Sequence, residues 1–203
     1  MSSRPPPPPV LNIANLLTML RLALVPVFLL ALFAGGGASV RWRVLAFGVF
    51  AVASFTDRFD GEIARKRGLV TEFGKLADPI ADKALTGAAL VGLSLLAELS
   101  WWVTAVVAVR EVGVTLLRFW VIRHGVIPAS RGGKVKTFVQ AVAIGLYVLP
   151  LPAGADLLAQ TVMALAVALT VITGVDYVVR AMRLRRAGMR AQQAALLTQH
   201  PVR

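Results

Sequence analysis

The chain has 203 residues, 57% of them hydrophobic, and a formal net charge of +12; its mean hydropathy is +0.73. A soluble domain of this length has too little interior to hide so much apolar sequence, so the composition excludes an ordinary water-soluble fold and points to one compact membrane domain. With no cysteine and only His124 and His200, disulfides, thiol chemistry, Cys-ligated zinc and a His-based metal cage are excluded as well.

Any metal must therefore sit on carboxylates, which favours Mg²⁺ or Mn²⁺ over zinc. The positive charge reads as basic flanks of membrane helices facing anionic lipid, and nothing resembles a nucleic-acid module.

The expected fold is all-α: a polytopic membrane protein with six transmembrane helices and an N-terminal juxtamembrane amphipathic segment. Residues 1–11 contain a run of five prolines, which favours extended backbone without internal hydrogen bonds, and are expected to be a disordered tail. Residues 12–180 form the transmembrane domain, and 181–203 a basic cytoplasmic tail. Asn12–Arg21 is the amphipathic lead-in at the membrane surface. The first span covers about Leu22–Ala34; if the lead-in continues into it, the helix is long and bent or tilted near Pro26. This opening imitates a signal peptide, but its apolar stretch is long and further spans follow.

The second span is expected over about Val44–Arg65, with Gly68 suited to stop the helix and Thr71 to cap the next. The third covers about Gly74–Leu99 and the fourth Trp101–Arg123. The fifth covers about Val135–Leu149, ended by Pro150 and Pro152, and the sixth about Leu157–Val179. Charge placement supports this order. Of the 22 Lys and Arg residues, only Arg41 and Arg43 fall at ends assigned to the outside. The others gather at the N-terminal end, around the 66–75 turn, around the 123–136 loop or at the C-terminus, with Arg110 alone near mid-membrane. By the positive-inside rule both termini are cytoplasmic, in a multi-pass cell-membrane protein.

The carboxylates within these spans carry most of the chemistry. Asp57 and Asp60 are three residues apart, and Gly61, Ala64 and Arg65 fall on the same helical arc. Asp78 and Asp82 are four apart, with Gly74 one turn earlier on that side. A short cytoplasmic turn lets the two faces meet near the inner leaflet. Taken singly, each aspartate is better explained by pairing with Arg65, Lys75 or Lys83 at a solvated helix end. Four converging carboxylates in low dielectric repel one another unless a cation intervenes, and bound divalent metal resolves that repulsion. Two ions sharing the carboxylates would lie about 3.5–4 Å apart. Gly61 and Ala64 leave room for a ligand near the backbone, and Arg65 offers a fork to phosphate oxygens.

Residues 57–82 read DRFDGEIARKRGLVTEFGKLADPIAD. All eight fixed positions and gaps match the CDP-alcohol phosphotransferase pattern, so the chain resembles that family. The resemblance implies six transmembrane helices, a homodimer, and Mg²⁺- or Mn²⁺-dependent transfer from a CDP-linked donor with release of CMP. It further implies that Asp57, Asp60, Asp78 and Asp82 bind two metal ions, with Asp82 also the general base. Asp57, Gly61, Ala64, Arg65 and Gly74 would then contact the donor.

The motif leaves the acceptor open. Arg110 and Glu111 lie within the fourth span, Arg118 two turns further on, and Lys134 and Lys136 before the fifth. Arg110, Arg118, Lys134 and Lys136 could form a cationic pocket for an acceptor that carries its own phosphate. Equally, Arg110 could pair with Glu111, and the two lysines could be ordinary headgroup anchors. NIANLLTMLR, REVGVTLLR and GGKVKTFVQ resemble the branch of the family that joins CDP-diacylglycerol to sn-glycerol 3-phosphate. That branch implies donor contacts from Asn15 and Thr18. The rival readings are the same chemistry on another acceptor, such as inositol 1-phosphate or phosphatidylglycerol, and a lipid-binding or transport protein. The chain has no obvious inverted repeat of the transporter kind.

Overall fold

Asn12 starts the first helix: its side-chain oxygen accepts a hydrogen bond at 3.0 Å from the backbone N–H of Asn15, satisfying one of the otherwise unpaired donors of a helix N-terminus. The computed structural model describes residues 12–67, 72–121, 131–152 and 154–199. Within its helices the side chains of residues 14, 57–67, 72–79, 82, 118, 119, 121, 131 and 188–199 lie outside the description. The described residues form six α-helices and no strand: α1 Ile13–Phe33, α2 Val40–Arg67, α3 Glu72–Leu95, α4 Trp101–Val121, α5 Arg131–Val148 and α6 Asp156–Gln199. The expected tail over 1–11, the stop at Gly68 and the cap at Thr71 lie outside the described residues.

The bounds follow the apolar runs to within a few residues, with two differences. The lead-in over 12–21 is continuous with the first span, so that α1 passes unbroken through Pro26. Its amphipathicity is turned inward: Asn15, Thr18 and Arg21 are buried, while Ile13, Leu16, Met19 and Leu20 are exposed. The sixth helix runs on through the basic region to Gln199.

Helix α1 packs against α2 and α3, and α6 against α4 and α5. The core between them is apolar and includes Phe28, Leu32, Phe50, Leu93, Ile144 and Val148. The rings of Phe28 and Phe50 meet at 5.8 Å between centroids. After α1 the chain reverses through Gly35, Gly36 and Gly37, all at positive φ. A Cβ on Gly37 would lie 2.7 Å from a methyl of Leu96, so the turn seats directly on the end of α3. Arg43 and Glu98 form an ion pair that ties the start of α2 to the α3–α4 turn.

Two stretches among the described residues, Asn15–Gly37 and Asp156–Ala187, are long and apolar enough to cross a membrane. The other helices carry ionisable residues within their apolar runs. Yet all six helices present large apolar side chains outward, among them Leu30, Phe55, Val91, Val109, Phe138 and Ile172, an arrangement that water penalises and lipid tolerates. Several threonines return their hydroxyls to a carbonyl one turn back, as Thr161, Thr170 and Thr173 do on α6. This satisfies a polar group within an apolar helix without calling on water.

Phe28→Ala should cost about 3 kcal/mol through the void it leaves beside Phe50. Leu30→Ala, at a position 73% exposed, should leave stability unchanged. Thermal unfolding of the detergent-solubilised variants checks both.

Candidate active site

Helices α2 and α4 run in one direction through the bundle and α3 and α5 in the other. Between them, closed by Arg21 of α1, lies a cavity of about 570 Å³. One end is apolar, walled by Phe47, Phe50, Leu90, Val107, Leu146 and Leu149. The other end is charged, walled by Lys83, Arg110, Glu111, Lys136 and Gln140. The charged end adjoins the aspartate segments. On α2 the described wall reaches Ser54 and Phe55, one turn before Asp57; on α3 it begins at Lys83, next to Asp82.

The charged groups are organised around Glu111. Its Oε1 accepts a hydrogen bond from Arg110 Nη1 at 2.9 Å and pairs with Lys136 Nζ. Arg110 Nη2 also donates to Thr173 Oγ1 of α6 at 3.3 Å. Gly174 beside it makes room, since a Cβ there would lie 3.2 Å from Arg110 Cγ. Lys83 donates to Thr115 Oγ1, which itself donates to the Glu111 carbonyl at 2.8 Å. Among the described lining residues, four cations (Arg21, Lys83, Arg110 and Lys136) face one carboxylate, a formal excess of three positive charges. Charge in a low-dielectric interior is costly unless paired. A cavity with this imbalance favours a ligand with several negative charges, such as phosphate or diphosphate.

Of the residues expected to hold the acceptor, Arg110 and Lys136 are brought together by Glu111. Lys134 is exposed and is not among the residues lining the cavity. Arg118 lies on α4 with its side chain outside the description. Asn15 and Thr18 are 2% and 1% exposed and lie two turns and one turn before Arg21 on α1. Asp57, Asp60, Gly61, Ala64 and Arg65 lie on α2, and Gly74, Asp78 and Asp82 on α3. The backbone is helical through all of them, while their side chains lie outside the description. Helical backbone gives carboxylates three and four residues apart a common face.

Three lining residues were not singled out for this site from sequence: Arg21, Lys83 and Gln140. Arg21 had a signal, a cation within an otherwise apolar helix, that assignment to a surface segment concealed. Gln140 stands inside the GGKVKTFVQ stretch one turn after Lys136, where spacing alone places both on one side of α5.

The motif, the all-helical bundle and a cationic cavity beside it define a membrane phospholipid-synthesis enzyme class. The chain belongs to the CDP-alcohol phosphatidyltransferase family, whose model matches residues 11–172. Among curated relatives, it is 63% identical over 174 residues to a probable phosphatidylglycerophosphate synthase of Mycobacterium tuberculosis, covering 86% of this chain and 83% of that one. It is 37% identical over 179 residues to the CDP-diacylglycerol–glycerol-3-phosphate 3-phosphatidyltransferase of Bacillus subtilis, covering 82% and 93%. It is 40% identical over 142 residues to the Escherichia coli protein of the same name, covering 66% and 74%.

Glu111→Gln should lose about 3 kcal/mol of stability, because the carboxylate that Arg110 and Lys136 share becomes neutral in a low-dielectric wall. Lys136→Met should cost less, and the double variant should lose less than the sum of the two. A thermal-unfolding double-mutant cycle in detergent measures the coupling.

Proposed function

We propose that this chain transfers the phosphatidyl group from CDP-diacylglycerol to sn-glycerol 3-phosphate, giving phosphatidylglycerophosphate and CMP. The observation that carries this reading is the cluster of cations, Arg110 and Lys136 with Arg21 and Lys83, in the cavity wall beside the aspartate segments. A lipid acceptor such as phosphatidylglycerol, or an amino alcohol such as serine, would not need it, whereas an acceptor that brings its own phosphate does. The names of the relatives support the same donor and acceptor.

The proposed arrangement is a multi-pass protein of the cell membrane, with six spans, both termini and the site cytoplasmic, acting as a homodimer. The tryptophans support the spans. Trp42, Trp101 and Trp102 are exposed at the end marked by the Arg43–Glu98 pair, and Trp120 is exposed at the other. Along α4, the eighteen residues from Trp102 to Trp120 rise ~27 Å, close to the ~30 Å hydrocarbon thickness that aromatic belts bracket. Arg185 stacks on the Trp120 ring at 4.2 Å, which supports a boundary position for the basic part of α6.

Asp57, Asp60, Asp78 and Asp82 would hold Mg²⁺ or Mn²⁺, two ions in all. An oxygen-only donor set on two helical faces suits these hard cations. The metal would supply neutralising charge at the donor diphosphate. Asn15, Thr18, Gly61, Ala64, Arg65 and Gly74 surround the donor. Arg110 and Lys136 receive the acceptor phosphate, while Arg118 and the exposed Lys134 lie nearer the cytoplasm.

Asp82 takes the proton of the acceptor's primary hydroxyl. The oxygen attacks the donor's β-phosphorus, the one bearing diacylglycerol. A new phosphorus–oxygen bond forms as the bond to the bridging oxygen breaks, and CMP leaves with that oxygen. The acyl chains remain in apolar surroundings while the polar groups react at the charged end.

Asp82→Asn should lower CMP release by at least about 10²-fold, the typical value of a general base. Asp57→Ala and Asp78→Asn should abolish it. Chelation should abolish turnover by the unaltered protein, and added Mg²⁺ or Mn²⁺ should restore it. Normal lipid product from Asp57→Ala or Asp78→Asn would contradict the assignment.

A further inference from the structure

Among the buried cavity-lining side-chain atoms without a hydrogen-bond partner in the described residues, Gln140 Oε1 is the acceptor. Gln140 is 4% exposed and lines the cavity one turn beyond Lys136. Its side-chain Oε1 is buried and has no hydrogen-bond partner among the described residues. Two hydroxyls that also line the cavity are already engaged, Thr104 with Ser94 and the Leu90 carbonyl and Thr137 with the Gly133 carbonyl. A buried amide without a partner is destabilising, and a fold tolerates it where a ligand supplies the missing group.

We infer that Gln140 is the specificity-determining residue for the free hydroxyl of the acceptor. The inference rests on the function proposed above and extends it to one atom of the substrate. If the acceptor phosphate sits between Arg110 and Lys136, the rest of the molecule lies within a few bonds of them. The primary hydroxyl is the nucleophile and must turn toward the aspartate helices α2 and α3. The secondary hydroxyl on C2 is the donor that remains, and Gln140 on α5 offers the acceptor that lacks a partner. A hydrogen-bonding position of this kind discriminates by what it leaves unpaired: an acceptor without the C2 hydroxyl would bury the Gln140 oxygen with no compensation.

The test compares sn-glycerol 3-phosphate with 3-hydroxypropyl phosphate, which keeps the phosphate and the primary hydroxyl and lacks the C2 hydroxyl. The full-length enzyme in vesicles containing CDP-diacylglycerol should favour the first by about tenfold or more in kcat/KM, the effect of one neutral hydrogen bond. Gln140→Met, close in shape and without hydrogen-bonding groups, should retain turnover of 3-hydroxypropyl phosphate and bring the ratio close to one. Retained turnover of the deoxy acceptor is also the check that the variant folds. Gln140→Glu, which keeps an accepting oxygen, should preserve part of the preference. An undiminished preference in Gln140→Met would overturn the inference and leave the proposed function standing, as would equal loss on both acceptors or no preference in the unaltered enzyme. Failure of the unaltered enzyme to use sn-glycerol 3-phosphate, with turnover of another alcohol, would overturn the proposed function itself.

Discussion

Arg110 and Lys136 share the carboxylate of Glu111 inside a bundle whose outer surface is apolar. Two cations share one anion, and Arg21 and Lys83 stand in the same wall. An interior of this kind cannot be closed by hydrophobic packing alone. It is held open as a cavity, with Thr173, Gly174 and Thr115 placed to receive the long side chains. The rest of the architecture follows from keeping that charge inside and hydrocarbon outside. Helix α1 is the plainest case, with Asn15, Thr18 and Arg21 turned inward and leucines and methionine outward.

The two ends of the cavity divide the work that a phospholipid-forming enzyme needs. Polar reactants require charge, metal and a base, which the α2 and α3 aspartates and the α4 and α5 cations are proposed to provide. The lipid-bearing reactant requires apolar walls, and Phe47, Phe50, Leu146 and Leu149 provide them a few turns away. Because α2 and α4 run opposite to α3 and α5, each helix contributes to both ends. Glu111 holds Arg110 and Lys136 in place before any anion arrives, which reduces the ordering cost of binding.

Much of this was legible in the sequence because it rests on periodicity. The apolar runs placed all six helices, and the fixed gaps among Asp57, Asp60, Asp78 and Asp82 identified the family. What periodicity could not give was the side on which isolated polar residues point. Arg21 read as the edge of a surface segment because a cation nine residues into a helix has no sequence signature for inward orientation; its burial depends on α2 and α3 packing over it. Arg110 and Glu111 are adjacent, and adjacent helical residues diverge, so their pairing depended on rotamers and on space beside Gly174. Gln140 was invisible for a different reason: its interest lies in a hydrogen bond it does not make, which only the packed cavity reveals.

The proposal that sn-glycerol 3-phosphate is the acceptor is tested most directly by supplying several acceptors to one preparation. Labelled sn-glycerol 3-phosphate, inositol 1-phosphate and serine would be incubated in parallel with the protein, CDP-diacylglycerol and Mg²⁺ or Mn²⁺, and the lipid extract counted. The account predicts label in lipid from glycerol 3-phosphate, with one CMP released per lipid formed, and none from serine or inositol 1-phosphate. Label entering lipid from serine or inositol 1-phosphate, with none from glycerol 3-phosphate, would contradict it.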